Sequence, residues 1–201
     1  KYDLDLQKNL VLDSKCGNVQ VQQSVGLFRM NRAVQYPFFP VVDTFNSKDS
    51  VAAIIVNKLE QILPLFPSEI KIDTVRSENV INVSTLFSSS NNSGLMSSNF
   101  MLSPDPQQNP FLKLLGQSGK VLSALSSLKG GGELMLISDS KFLSDEGGMS
   151  IPDNMVFLMN AVDYLADDED LISLRSREVT SRPLDILQLS DEEELTISQD
   201  D

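Results

Sequence analysis

Two neighbouring stretches decide the fold class. One is Glu133-Leu134-Met135-Leu136-Ile137-Ser138-Asp139-Ser140; the other is Asn154-Met155-Val156-Phe157-Leu158-Met159-Asn160-Ala161-Val162-Asp163-Tyr164-Leu165, with Pro152-Asp153 at its start. The first is a continuous apolar run that ends in small polar residues, the pattern of a strand buried on both faces as in a parallel sheet. In the second, Val156, Met159, Asn160, Val162, Asp163 and Leu165 divide a helix into a buried and a wet face. A proline at its first turn suits a helix start, since the missing N–H would be unpaired there anyway. A buried strand leading to a helix makes an α/β unit, and α/β folds place ligands at the C-terminal ends of such strands. Asp139 and Ser140 at the strand end, with Asn154 and Asn160 on the helix, are therefore the candidate ligand-binding residues. In the plainer reading of the two amides, Asn154 caps backbone and Asn160 satisfies a buried turn. The acidic run Asp167-Asp168-Glu169-Asp170 opposes the helix macrodipole, which predicts a helix end near Leu165 or Ala166.

Upstream the pattern is β-rich. Leu10-Val11-Leu12 is a short apolar run, Val19-Gln20-Val21-Gln22 alternates, and Leu27-Phe28-Arg29-Met30 alternates again beyond Gly26, which predicts a hairpin or meander with one wet face. Tyr36-Pro37-Phe38-Phe39-Pro40 reads as an extended segment plugging a core edge, because its prolines remove backbone donors. From 50 to 66, Val51, Ile54, Ile55, Lys58, Leu59, Ile62 and Leu63 follow helical spacing behind Asp49 or Ser50 as N-cap, which favours one helix; Leu59 to Phe66 also reads as a strand closed by Pro67. Residues 78–87 predict a strand, and the Ser- and Asn-rich stretch 88–110 a mobile surface loop. Within 112–128 the first part is expected to be extended and the second helical, with Gly130-Gly131-Gly132 as its C-terminal cap.

The 201 residues suffice for one large domain or two small ones. A mean hydropathy of −0.09 and 22% charged residues place the chain among soluble globular proteins. The net charge of −12 and pI near 4.4 exclude a nucleic-acid binder, which needs a dense basic surface. Most of that charge is C-terminal: residues 163–201 hold 13 acids against three arginines, so the other residues carry a net of only −2. Asp191-Glu192-Glu193-Glu194 lies in a solvated tail over 186–201, with an acidic docking segment as the sharper alternative.

Histidine is absent, which removes Ser-His-Asp and Cys-His catalysis and His-ligated zinc together. Cys16 is alone and reads as a small apolar residue rather than a nucleophile. Neither Gly130-Gly131-Gly132 nor Gly116-Gln117-Ser118-Gly119-Lys120 has the spacing of a dinucleotide or phosphate loop. Ser126-Ser127-Leu128-Lys129 and Ser138-Asp139-Ser140-Lys141 fit S-x-x-K, the one familiar hydrolytic option left, in a chain so rich in serine that chance matches are expected. The run Asp167 to Asp170 lacks the alternating ligands and central glycine of a calcium loop. No cofactor and no metal is expected.

The stretch Glu133 to Asp145, then Asn154 to Leu165, then Glu169-Asp170-Leu171-Ile172-Ser173-Leu174-Arg175-Ser176-Arg177, resembles the auxiliary component of gliding-motility type ABC transporters, the GldG-like family. The similarity extends forward through Ser84 to Ser90, Tyr36 to Pro40 and Leu10 to Asp13, and covers most of residues 1–185. Ser138 stands where that family often has Gly, and Tyr164 where Trp is common.

The resemblance implies a single α/β extracytoplasmic domain over 1–185 with a mixed sheet, flanking helices, a flavodoxin- or Rossmann-like part and a β-rich N-terminal portion. For 50–66 it implies a short helix followed by a strand. It also implies family strands before Lys1 and a membrane helix beyond the chain, anchoring the protein on the periplasmic side of the cytoplasmic membrane. The expected function is a non-enzymatic accessory domain whose partners are ABC permease and ATPase subunits. The alternatives are a solute- or glycan-binding domain with its cleft at Asp139, and a Ser-Lys hydrolase.

Overall fold

The computed structural model describes residues 2–25, 28–46, 48–105, 108–145, 147–168, 170 and 172. The expected acidic tail over 186–201 and the boundary at 185 lie outside the described residues, as does Glu169 of the acidic run.

In chain order the elements are β1 (Leu4–Leu6), β2 (Leu10–Asp13), β3 (Cys16–Val25), β4 (Phe28–Pro40), α1 (Ser50–Ile55), β5 (Ile70–Ile72), β6 (Val80–Ser88), β7 (Ser93–Met96), β8 (Val121–Leu128), β9 (Glu133–Ile137) and α2 (Pro152–Leu165). This is a mixed α/β architecture dominated by strands. They form the pairs β1–β5, β2–β7 and β3–β4 and one three-stranded sheet in the order β6–β8–β9. Every one of these pairings is antiparallel. The parallel sheet expected around Glu133–Ile137 is thus not what the described residues build. β9 is an edge strand, half-buried along Leu134–Ile137, so its unbroken apolar run reflects an edge covered by neighbours rather than a central parallel position.

β2 organises the interior. Its adjacent residues Val11 and Leu12 are both fully buried, and because side chains alternate across a strand they serve two separate clusters. Val11 joins the larger core with Ile55, Ile62, Phe87, Leu125, Phe142 and Phe157. Leu12 joins Tyr36, Phe38 and Met96. The second cluster confirms the aromatic plug: the Tyr36 and Phe39 rings meet edge-on at 4.9 Å, and Phe39 meets Phe66 at 5.1 Å.

Three expectations are corrected. Periodicity favours one helix across 50–66, but α1 ends at Ile55; Asp49 caps it as expected, its carboxylate accepting from the Val51 and Ala52 amides. A turn at 56–58 follows, with Lys58 at a φ of +58°, and beyond it Ile62 bridges to Val42. Residues 121–128 form β8 rather than a helix, and Gly130 and Gly131, at φ of +107° and +88°, make the turn into β9 rather than a helix cap. The small side chains of Ser123, Ala124 and Ser126 let β8 be covered on both faces. The polar stretch 88–110 is also not simply a surface loop. Buried Asp13 draws it in, accepting from the Ser90 amide at 2.5 Å and its hydroxyl at 2.6 Å, and β7 then pairs with β2. Buried Asn109 folds the far side by donating to the Met101 and Ser103 carbonyls.

Candidate functional site

The end of β9 and the start of α2 lie side by side, as the strand-then-helix reading requires, and residues 60–66 run between them in a non-helical path that bends at Leu65 and Phe66. Asp139 is 6% exposed; its Oδ2 accepts from the Leu65 amide at 2.8 Å and its Oδ1 from the Lys141 amide at 2.7 Å. Asn154, also buried, grips Leu63 twice, accepting from its N–H and donating to its carbonyl, both at 3.0 Å. Asp153 accepts from the amides of Glu60 at 3.0 Å and Gln61 at 2.9 Å through one oxygen. Asn160 donates to the Ile55 carbonyl at 3.0 Å, satisfying the last turn of α1.

Together these groups complete a full account of the backbone donors from 60 to 66. Ile62 donates to Val42 O and Phe66 to Phe38 O, and Pro64 has no N–H to place. Buried amides must be paired, and here each finds an acceptor outside the segment, which is why it is non-helical where periodicity favours a helix. The segment lies across the strand-end cleft as a bound peptide strand would, with the Ile62 side chain fully buried in the larger core.

Two of the four candidate residues, Asp139 and Asn154, are thus brought together around one backbone segment; Asn160 holds the end of α1 instead, and Ser140 is exposed. The plainer reading of Asn160 matches its contact. Asn154 does hold backbone, though that of Leu63 rather than its own helix, whose N-cap Ile151 supplies no side-chain cap bond. Asp153 is the residue that sequence reasoning passes over: a carboxylate in a first helical turn has free lone pairs, and nothing local says that a distant segment will use them.

Burial pushes the Asp139 carboxyl above its ordinary value, against the backbone amides of Leu65, Lys141 and Phe142, which pull it down. The Cys16 thiol is likewise raised by burial, away from the thiolate a nucleophile needs. The hydroxyls of Ser126 and Ser138 are buried with no hydrogen-bond partner, so neither makes the contact with lysine that a Ser-Lys pair requires. Among the described residues no group of three or more acidic or sulfur side chains could hold a metal ion.

Open space lies elsewhere. A cavity of about 550 Å³ sits by the β8–β9 turn, lined by Ser127, Gly131, Glu133, Tyr164, Leu165 and Asp167 among others, with Ser127 Oγ donating to Glu133 at 2.8 Å. A shallower one of about 430 Å³ is mostly apolar, between Leu10, Phe66, Phe100 and Leu102.

The family model of an ABC-type uncharacterized transport system matches residues 1–161, which span every strand and most of α2. The chain belongs to this family. It is accordingly an auxiliary component of an ABC-type transport system and has transporter partners. No curated protein and no solved structure matches it. The matched residues include all of the contacts on 60–66, so the strand-end latch is part of the family domain and not an appendage to it. Among the described residues no helix is long and apolar enough to cross a membrane.

Proposed function

We propose that this chain is a non-enzymatic accessory domain that works by protein contacts outside the cytoplasmic membrane, alongside ABC permease and ATPase subunits, in a system linked to gliding motility. In the full-length protein a membrane helix beyond this chain holds it on the periplasmic side. The observation that carries the contact role is the use made of the strand-end cleft. Asp139, Asp153 and Asn154 spend their hydrogen bonds on the chain's own backbone, so the polar chemistry that would read a solute is turned inward. The surface left over is apolar in part: Val156, Met159, Val162 and Leu165 on α2 are 37–55% exposed, so the helix keeps apolar side chains outside as well as in.

The test is purification of the full-length protein from native membranes in gentle detergent, with mass spectrometry of what accompanies it. Permease and ATPase subunits are expected at comparable yield. Recovery of the protein alone overturns the reading. Solute or glycan binding is the second reading, and the cavity between Ser127, Glu133 and Asp167 favours it over the filled cleft at Asp139. A solute class that raises the melting temperature, with the effect lost in Glu133→Gln, would establish it.

A further inference from the structure

The β3–β4 hairpin is built unlike the rest of the molecule. It forms a sheet of its own, and from Asn18 to Gln35 no described side chain is buried. It is anchored near its root, through Tyr36, Phe38 and Gly17, whose backbone lies against Leu63 and Phe39, and through Val19, half-buried against the same cluster. The register runs unbroken from Asn18↔Gln35 to Val25↔Phe28, an arm about 24 Å long at about 3.4 Å per residue. A two-stranded ribbon of this kind is marginal in water without something laid against it.

The two edges of the arm differ. β4 carries Arg29, Arg32, Pro37 and Pro40, residues that guard an edge against strand addition. β3, from Cys16 to Val25, has no charge and no proline, and its register irregularity lies at the root between Cys16 and Asn18. Pairs alternate along an antiparallel ladder, and the Val25–Phe28 pair closes a two-residue connection. The amides of Gln20 and Gln22 therefore fall on the outer edge, and both side chains are exposed.

Charge selects the occupant. The chain carries −12, so two copies repel wherever their acids meet. Residues 14–42 contain no acid at all, only Lys15, Arg29 and Arg32. Pairing β4 with β4 would set arginine near arginine, whereas β3 against β3 opposes neutral residues throughout. A two-fold contact must be self-complementary, and β3 is.

We propose that the protein pairs with a second copy of itself along the outer edge of β3, antiparallel and centred near Val21, so that the two arms make one four-stranded sheet. Gln20 of one copy then lies opposite Gln22 of the other. The proposal rests on reading this chain as a protein-contact domain, and it names the surface and one partner.

The test is sedimentation equilibrium of the chain from about 5 to 500 μM, with wild type expected to rise from 22.2 kDa towards twice that mass, at a Kd on the order of 100 μM. Gln20→Lys with Gln22→Lys sets like charges directly across the new pair and should weaken association at least about tenfold. Gln22→Pro is the second variant: proline is tolerated where an edge N–H faces solvent, so it should block the edge and keep the hairpin. Unchanged far-UV circular dichroism and melting temperature confirm that each variant folds. A chain that stays monomeric at the highest concentration, or a dimer indifferent to both variants, overturns the proposal. If wild type is monomeric and the lysine pair instead abolishes permease recovery, the edge serves another protein; self-pairing is then wrong while the accessory role stands. A dimer that both variants weaken, with no permease recovered, upholds self-pairing and overturns the accessory role.

Discussion

The arm and the latch around residues 60–66 hold similar residue types and use them in opposite ways. In the latch, Asp139, Asp153 and Asn154, with Asn160 at the end of α1, reach across more than 70 residues of sequence to bind backbone, and the aliphatic residues between them fill the core. In the arm, Gln20, Gln22, Asn31 and Gln35 face solvent, and the described residues between its root and its tip pair only with the other strand of the hairpin. Polar side chains thus stabilise this protein where a segment without its own secondary structure needs donors and acceptors. Along the arm the ladder already supplies them, and the polar groups are left for other molecules. The comparison predicts a steep gradient of sensitivity to substitution from the latch to the arm.

Phe157→Ala should have the largest effect. Its ring is fully buried beneath α2, edge-on to Phe87 at 5.3 Å and to Phe142 at 5.8 Å. Removing it leaves a cavity where three elements meet, and urea unfolding should show a loss of about 3–5 kcal/mol. A loss below about 1 kcal/mol would mean that α2 is not seated on the core as described. Asn154→Ala comes next, at about 2 kcal/mol, because it strands both the N–H and the carbonyl of Leu63 without replacing either partner. Its sharper signature is local: the Leu63 amide should lose hydrogen-exchange protection ahead of global unfolding.

Asp139 probes the latch through pH. Its carboxyl is raised in the folded chain by burial, so the folded state holds the proton more tightly than the unfolded one. Stability from this group is therefore fully present below the ordinary carboxylate pKa and is lost as pH rises through the elevated value. Asp139→Asn removes that titration. It also presents an NH₂ to one of the two amides now bound, so it should be less stable than wild type by about 1 kcal/mol at low pH. The gap should narrow as pH rises into the neutral range. Parallel unfolding curves across that range would show that the Asp139 carboxyl is not raised.

Much of this architecture is legible in local sequence. Alternation marks the hairpin, Pro152 and the acids after Leu165 bracket α2, and Asp49 marks α1; each signal is decided within a few residues. The failures lie where distant contacts override local pattern. Leu59, Ile62 and Leu63 carry helical spacing, but the amides of residues 60–63 are taken by Asp153, Val42 and Asn154. Val121 to Leu128 has residues that a helix accepts, yet β6 and β9 flank it on both sides. The face that α2 buries departs from its apolar pattern for a related reason. Buried Asn154 and Asn160 draw it inward along a polar line, which turns Val156, Met159 and Val162 to the outside. The same long-range pairing hides the site: Asp139 is visible as a polar residue at a strand end, but its partner Leu65 lies 74 residues away.

The smallest effect is expected on the arm and is the most informative about the comparison. Gln20→Lys with Gln22→Lys adds two charges to exposed positions that lack buried partners, so measured on the monomer at low concentration it should change stability by no more than about 0.5 kcal/mol. Lysine is a residue that natural edge strands carry, so the hairpin itself has no reason to reject it. A loss of about 2 kcal/mol or more in dilute solution would mean that the outer edge of β3 already packs on the body of its own chain, and the contrast between arm and latch would collapse. Insensitivity when dilute, together with a loss confined to high concentration, would separate the two regions by function: one holds the fold, and the other is spent only when a second chain arrives.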